Sequence, residues 1–88
     1  MMPVGCVVRA LSGKEKGRLL AVVGERDGRL LIADGRHRLL TAPKGKNPRH
    51  LLDIGARLTC EELRTDRQLR RALRRIAEEQ EKEGPGRV

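Results

Sequence analysis

The pattern of apolar residues changes once along the chain, near residue 59, and this change constrains the fold more than any other feature. Residues 3–58 hold short runs of Val, Leu and Ile separated by turns that contain glycine, whereas residues 59–83 contain no glycine or proline. Short apolar runs between turns are typical of strands, and a long uninterrupted segment is typical of a helix. The sequence therefore predicts a β domain over 1–58, a helical segment over 59–83 and a flexible tail over 84–88.

Turn residues place the strands within the β domain. We expect five strands, over residues 4–10, 18–24, 29–33, 36–41 and 50–54. Asp27-Gly28 and Asp34-Gly35 are predicted tight turns, because Asp-Gly readily adopts the positive φ that such turns need. The segment 42–49 contains two prolines and is a predicted loop. Short strands joined by tight turns favour a small closed barrel, which leaves no sheet edge exposed.

The helical segment has a recognisable start and two different faces. Thr65 and Gln68 resemble a capping box, and Thr59 and Glu62 offer an earlier start or a separate short turn. At 100° per residue, one apolar stripe is predicted to contain Leu69, Ala72, Leu73 and Ile76. The opposite side carries Arg64, Arg67, Arg71, Arg74 and Arg75.

Charge and composition narrow the function. The 88 residues include 20 Lys and Arg against 12 Asp and Glu, a net charge of +8, and no Phe, Tyr or Trp. A strongly basic chain favours a polyanionic partner, with nucleic acid first and an anionic membrane surface second. Without aromatic rings to stack bases, phosphates and the shape of folded RNA are the favoured targets. No apolar run approaches the ~20 residues of a membrane span, and no signal sequence is evident, so we expect a cytoplasmic protein.

Catalytic and metal chemistry find little support in the sequence. The two histidines and the scattered acidic residues assemble no catalytic constellation, so we expect neither an enzyme nor a cofactor. Cys6 and Cys60 lie far apart without nearby ligands, and both are predicted to be small buried apolar residues. A disulfide or a metal site is the alternative for these cysteines.

The segment 4–23 is the most specific motif. It consists of a predicted strand, the turn Gly13-Lys14-Glu15-Lys16-Gly17 and a second predicted strand. This arrangement resembles the KOW motif of RNA-binding SH3-like domains, although Leu19 or Leu20 stands where a further glycine is usual. Segments 31–38 and 43–51 extend the resemblance to small bacterial KOW-domain proteins, which are related to KOW-bearing ribosomal proteins of the archaeal and eukaryotic large subunit. The resemblance implies a five-stranded SH3-like barrel that binds RNA.

The candidate RNA-binding residues lie mainly in two basic loops. No acidic residue occurs from Gly35 to Leu52, and the turn at 13–17 adds further lysines. The predicted contacts are Lys14, Lys16, Arg36, His37, Arg38, Lys44, Lys46, Asn47, Arg49 and His50. A second RNA surface is predicted at Arg67, Arg71 and Arg74; the alternative is a merely solvated face, since arginines and glutamates occur there at i,i+4 spacing.

These observations leave two functions open. The first is a non-catalytic protein that docks on structured RNA, with ribosomal RNA and then ribosomal proteins as the expected partners. The second is a protein-interaction adaptor in transcription or translation, whose C-terminal helix packs on a partner instead of on its own barrel. The oligomeric state and the identity of the RNA stay open.

Overall fold

A five-stranded antiparallel sheet and one C-terminal helix make up the fold. A computed structural model describes residues 2–82, with the side chain of residue 82 left aside. The elements are β1 (Cys6–Ala10), β2 (Leu19–Arg26), β3 (Arg29–Ala33), β4 (Lys44–Lys46), a 3₁₀ helix (Pro48–His50), β5 (Leu51–Arg57) and α1 (Asp66–Lys82). The predicted mainly-β fold with a C-terminal helix is therefore confirmed, with the helix beginning at Asp66 instead of near residue 59, while the predicted tail at 84–88 lies outside the described residues.

The strands run in the order β4-β3-β2-β1-β5, so the last strand returns to lie beside the first. The β2–β3 hairpin closes at Asp27 and Gly28, whose φ angles of 52° and 78° lie in the left-handed region. Arg26 pairs directly with Arg29 across this turn. The predicted two-residue Asp-Gly turn is confirmed, because glycine and aspartate tolerate positive φ better than most residues.

The sheet is strongly curled but not closed. A flat sheet of five strands would hold its edges about 19 Å apart. Asn47 to His50, which connect β4 to β5, would reach about 14 Å at most if fully extended, and they span less because Pro48–His50 form a 3₁₀ helix. Irregular register at Cys6–Val8 and Val22–Gly24 accompanies the bending. Within residues 2–82 no ladder joins β4 to β5, so the expected closure into a barrel is wrong. A 3₁₀ helix connects β4 to β5, where a hairpin turn would be needed to bring the two strands side by side.

Side chains of the curled sheet form two apolar clusters, one on each face. Cys6, Val8 and Ala10 lie on the concave face with residues of β2, β3 and β5. Val7 lies on the other face and packs with the helix residues Leu69, Ala72, Leu73 and Ile76. The predicted apolar stripe of α1 is thus confirmed, and it is buried against the protein's own sheet.

Residues 36–41 do not form the predicted fourth strand. One carboxylate oxygen of Asp34 accepts the backbone amides of Arg36, His37 and Arg38 at 2.8–2.9 Å. This local bonding wraps the chain around the carboxylate and competes with a strand ladder. The fourth strand forms instead at Lys44–Lys46, inside the segment predicted to be a loop.

Two capping pairs precede α1. The Thr65 hydroxyl accepts the amide of Gln68 at 3.1 Å, which is one half of the predicted capping box; within residues 2–82 no hydrogen bond from the Thr65 amide to the Gln68 side chain completes it. Thr59 and Glu62 exchange hydrogen bonds that close a separate turn ahead of the helix. None of the helices in residues 2–82 has the length and apolar character needed to cross a membrane.

The two cysteines differ in environment, and both are free. Cys6 is buried in the concave cluster, as predicted. Cys60 is exposed, so its predicted burial is wrong. Cys60 lies in the turn between β5 and α1, where Leu58 and Leu63 pack against the helix-side cluster and Cys60 is left on the solvent side.

Candidate nucleic-acid interface

An open groove of about 1240 Å³ lies between α1 and the connections that follow β1 and β3. The helix supplies four of its arginines, Arg67, Arg70, Arg71 and Arg74. The sheet side supplies Arg9, Arg18, Arg36 and His37. We call this feature the arginine groove. It brings together residues that the sequence placed on two separate surfaces, the loop at 36–37 and the face of the helix.

Helical periodicity places three of these arginines in a row. Arg67, Arg71 and Arg74 follow one another at spacings of four and three residues, so they lie on one side of α1. The rise of 1.5 Å per residue separates them by about 6 Å and about 4.5 Å along the axis. The apolar stripe of the helix holds this row in place, because Leu69, Leu73 and Ile76 are buried against the sheet.

Direct contacts hold the loop side of the groove to the helix. The Arg70 guanidinium donates to the Gly35 carbonyl oxygen at 2.7 Å, and the Leu40 amide donates to the Asp66 carboxylate at 2.8 Å. Gly35 lies so close to the helix that an added Cβ would come within 2.4 Å of the Asp66 carbonyl oxygen. Its φ of 78° also favours glycine. The loop at 34–40 therefore lies directly on the first turn of α1.

The groove carries a strong excess of positive charge. Among residues 2–82, its lining includes seven arginines but only two carboxylates, those of Asp34 and Glu81. Within residues 2–82 no carboxylate pairs with the five groove arginines Arg18, Arg36, Arg67, Arg71 and Arg74. Arg9 is oriented by its hydrogen bond to the Gly17 carbonyl oxygen at 2.8 Å. An anion that enters the groove would therefore meet guanidinium groups that are not already neutralised.

Asp34 organises the loop and offsets little of this charge. Burial raises the pKa of Asp34, but hydrogen bonds from the amides of Arg38 and Arg36 and from His37 outweigh burial and lower it. The His37 ring nitrogen Nδ1 lies 3.4 Å from the second carboxylate oxygen. The carboxylate is thus engaged with its own turn, and it positions Arg36 and His37 at the groove.

Three other residues that were predicted to contact RNA lie instead against a buried carboxylate, that of Glu15. Glu15 is only 2% exposed, and Arg38, Lys44 and Lys46 lie 3.1, 3.2 and 3.4 Å from its oxygens. Lys46 also donates to the Ser12 carbonyl oxygen at 2.7 Å and is itself buried. We call these four residues the Glu15 cluster. It ties the β1–β2 turn to β4 and engages three cations internally.

The charge balance in the Glu15 cluster favours an ionised carboxylate. Burial alone raises the pKa of Glu15, but hydrogen bonds from Arg38, Lys44 and Lys46 and the charge of Lys44 lower it from 4.5 to about 2. Glu15 therefore carries its charge at neutral pH and attracts all three cations.

The remaining predicted contacts form a second exposed basic surface. Lys14, Lys16, Arg49 and His50 are exposed. The Leu11 amide donates to the His50 carbonyl oxygen at 2.9 Å, which places the lysine turn beside the 3₁₀ helix. Asn47 has a local role, since its side-chain oxygen accepts the Arg49 amide at 2.9 Å and caps that helix. None of these residues lines the arginine groove.

Sequence reasoning missed several residues of the site. Arg70 could have been found, because it extends the three-and-four spacing of the helix arginines. Arg9 alternates with buried Val8 and Ala10, a pattern that places it on the helix side of the sheet. Arg18 carries no comparable signal. Conversely, Arg64 and Arg75 pair with Glu61 and Glu62 and lie outside the groove.

No protein-family model matches this chain, and no curated protein sequence matches it. Among residues 2–82, no three or more His, Cys, Asp or Glu side chains gather in a way that could hold a metal ion. The arginine groove and the second basic surface are therefore the features on which a functional proposal can be based.

Proposed function

We propose that this protein is a non-catalytic RNA-binding module that docks on structured RNA, with ribosomal RNA as the first candidate. The observation that carries the proposal is the arginine groove, in which five guanidinium groups lack a carboxylate partner within residues 2–82. Guanidinium groups bind phosphate through charge-assisted, often paired hydrogen bonds. In the groove, RNA phosphates would bind the guanidinium groups that have no carboxylate partner within residues 2–82.

Composition supports a reader of phosphates over a reader of bases. The chain contains no Phe, Tyr or Trp on which bases could stack. Contacts to phosphates fix the position of a protein on a nucleic acid and make its affinity depend on salt. The exposed residues Lys14, Lys16, Arg49 and His50 would add contacts to an RNA large enough to reach both surfaces.

The resemblance to KOW domains is part of the same proposal. In that view, the curled sheet is an SH3-like domain whose β1–β2 turn carries the motif. Supporting observations are the positive φ angles of Gly13 and Gly17, 82° and 85°, at the two ends of the turn, and the return of β5 beside β1. Ribosomal proteins are the further partners that this resemblance suggests.

The alternative, a protein-interaction adaptor, depends on a free apolar stripe on α1. That stripe is buried against the protein's own sheet through Leu69, Leu73 and Ile76. The exposed face of the helix is arginine-rich, and this favours a polyanion over an apolar partner surface.

A matched pair of double variants tests the proposal. Arg71→Gln with Arg74→Gln removes two groove cations, and Arg64→Gln with Arg75→Gln removes two cations that pair with glutamates outside the groove. Both variants lose the same net charge. Dissociation constants for folded ribosomal RNA are measured over a series of salt concentrations.

We expect the groove variant to bind more weakly and to reduce the slope of log affinity against log salt by about 2, since each phosphate contact contributes about 0.9. The control variant should keep a slope close to that of the wild type. Equal losses in the two variants would show that net charge alone drives binding. Unchanged binding by the groove variant would refute the site.

A further inference from the structure

We infer that the arginine groove selects double-helical RNA over single-stranded RNA by the shape of the phosphate backbone. This inference rests on the proposed function, because it specifies which form of RNA the groove takes. Three properties of the groove lead to it: the scarcity of aromatic stacking surface, the mutual fixing of its two sides, and the regular row of arginines on α1.

The groove offers single-stranded bases little aromatic surface on which to stack. Among residues 2–82, the only aromatic ring in its lining is that of His37, which is half exposed and lies against Asp34. Proteins that bind single strands usually combine a basic track with aromatic rings, and each stacked base strengthens binding substantially. A single strand in this groove would gain phosphate contacts and some stacking on guanidinium planes, but almost none of the aromatic stacking that usually strengthens such binding.

The two sides of the groove are held at a fixed separation. Arg70 bonds to the Gly35 carbonyl oxygen, Asp66 accepts the Leu40 amide, and Gly35 leaves no space for a Cβ against the helix. A groove fixed in this way fits a ligand of regular shape better than it fits a ligand that must change its shape to bind. A duplex meets this requirement, because pairing already holds its phosphates at set positions.

The arginine row adds to the advantage of a duplex. Arg67, Arg71 and Arg74 present three guanidinium groups along about 10 Å of helix axis. A flexible single strand loses conformational freedom when it matches such a row, whereas a duplex is already ordered. Together with the scarcity of aromatic stacking, this predicts a duplex preference of about tenfold or more.

The first experiment compares two probes with the wild-type chain. One is a fully paired RNA hairpin and the other is an unpaired polypyrimidine RNA with the same number of phosphates. At one salt concentration, the hairpin should bind at least about tenfold more tightly. Equal or tighter binding of the single strand would overturn the inference but leave the proposed function intact. Failure of both probes to bind would overturn the proposed function itself.

A second experiment tests whether shape produces the preference. Asp66→Ala removes the acceptor of the Leu40 amide, which helps to hold the two sides together. Glu25→Ala is the control, since it removes one exposed acidic residue from β2. Both variants become more basic, which by itself favours RNA of either form. We expect the duplex preference to fall about threefold or more in Asp66→Ala, roughly the loss of one modest hydrogen bond, and to stay unchanged in Glu25→Ala. An unchanged preference in Asp66→Ala that still unfolds cooperatively would overturn the argument from shape.

Discussion

Replacing Glu15 with Gln should destabilise the protein in a way that depends on pH. Glutamine has nearly the same shape as glutamate and keeps an acceptor oxygen, but it lacks the charge that attracts Arg38, Lys44 and Lys46. The substitution leaves the buried Lys46 with one neutral acceptor, the Ser12 carbonyl oxygen, and one neutral amide. The protein therefore loses stability because Lys46 stays buried, away from water, without the negative charge that offset its own.

The magnitude follows from burial. Breaking a fully buried ion pair costs about 3–5 kcal/mol, and lowering a carboxyl pKa from 4.5 to about 2 corresponds to about 3 kcal/mol. The Arg38 and Lys44 side chains are 36% and 34% exposed, so solvent screens their share of the interaction. We expect a loss of about 2 kcal/mol in the free energy of unfolding. For a domain of this size, that loss lowers the melting temperature by about 8–16 °C.

The sign of the pH dependence follows from the direction of the shift. Glu15 has a lower pKa in the folded chain than in the unfolded chain. Its contribution to stability is therefore fully present above a pH of about 4.5 and is lost as the pH falls toward about 2. Protonated Glu15 is neutral, like Gln, so the difference between wild type and variant should shrink over this range. The lowered pKa of Asp34 acts equally in both proteins and cancels from the difference.

Thermal unfolding, followed by circular dichroism at pH 7 and at pH 2–3, measures this difference. Glu25→Gln serves as the matched control, because Glu25 is exposed at the end of β2. The reasoning would be refuted if Glu15→Gln melted within 2 °C of the control at pH 7. A difference that stayed constant down to pH 2 would also refute it, since the loss would then not come from the charge.

Two further predictions concern the packing. Leu69→Ala should lower the free energy of unfolding by about 2–5 kcal/mol, because Leu69 is fully buried between the helix and the sheet. Leu52→Ala, at a half-exposed side chain, should cost less than about 1 kcal/mol; equal costs in denaturant titrations would contradict the docking of α1. Cys60 should react with a thiol reagent in the native protein and Cys6 only after unfolding. Mass spectrometry after brief labelling checks this, and equal labelling of both would contradict the burial of Cys6.

Local signals explain which parts of the fold the sequence predicts correctly. The Asp27-Gly28 turn, the Thr65 cap and the apolar stripe of α1 depend on residues within a few positions of one another. Their physics is local: positive φ, a side-chain acceptor and helical periodicity. Such features need no knowledge of distant neighbours.

The fourth strand shows where local reading fails. The Asp34-Gly35 turn predicts that residues 36–41 return as a strand, but the Asp34 carboxylate accepts three successive backbone amides and wraps the chain around itself. The short strand at 44–46 carries two lysines and one glycine, a composition with little strand signal. It pairs with β3, and its Lys46 is held by Glu15 from across the sheet.

The sequence alone determined the net charge of +8, the absence of Phe, Tyr and Trp, and the helix with one apolar side. Only the tertiary structure decided which cations are free to bind a partner. Glu15 and Lys46 are separated by 31 positions yet meet in a buried ion pair, while arginines from both halves of the chain converge in one groove. The physical reason is that the sequence sets the number of charged side chains. Whether a given cation can bind a partner depends on whether the fold places a carboxylate within a few ångströms of it.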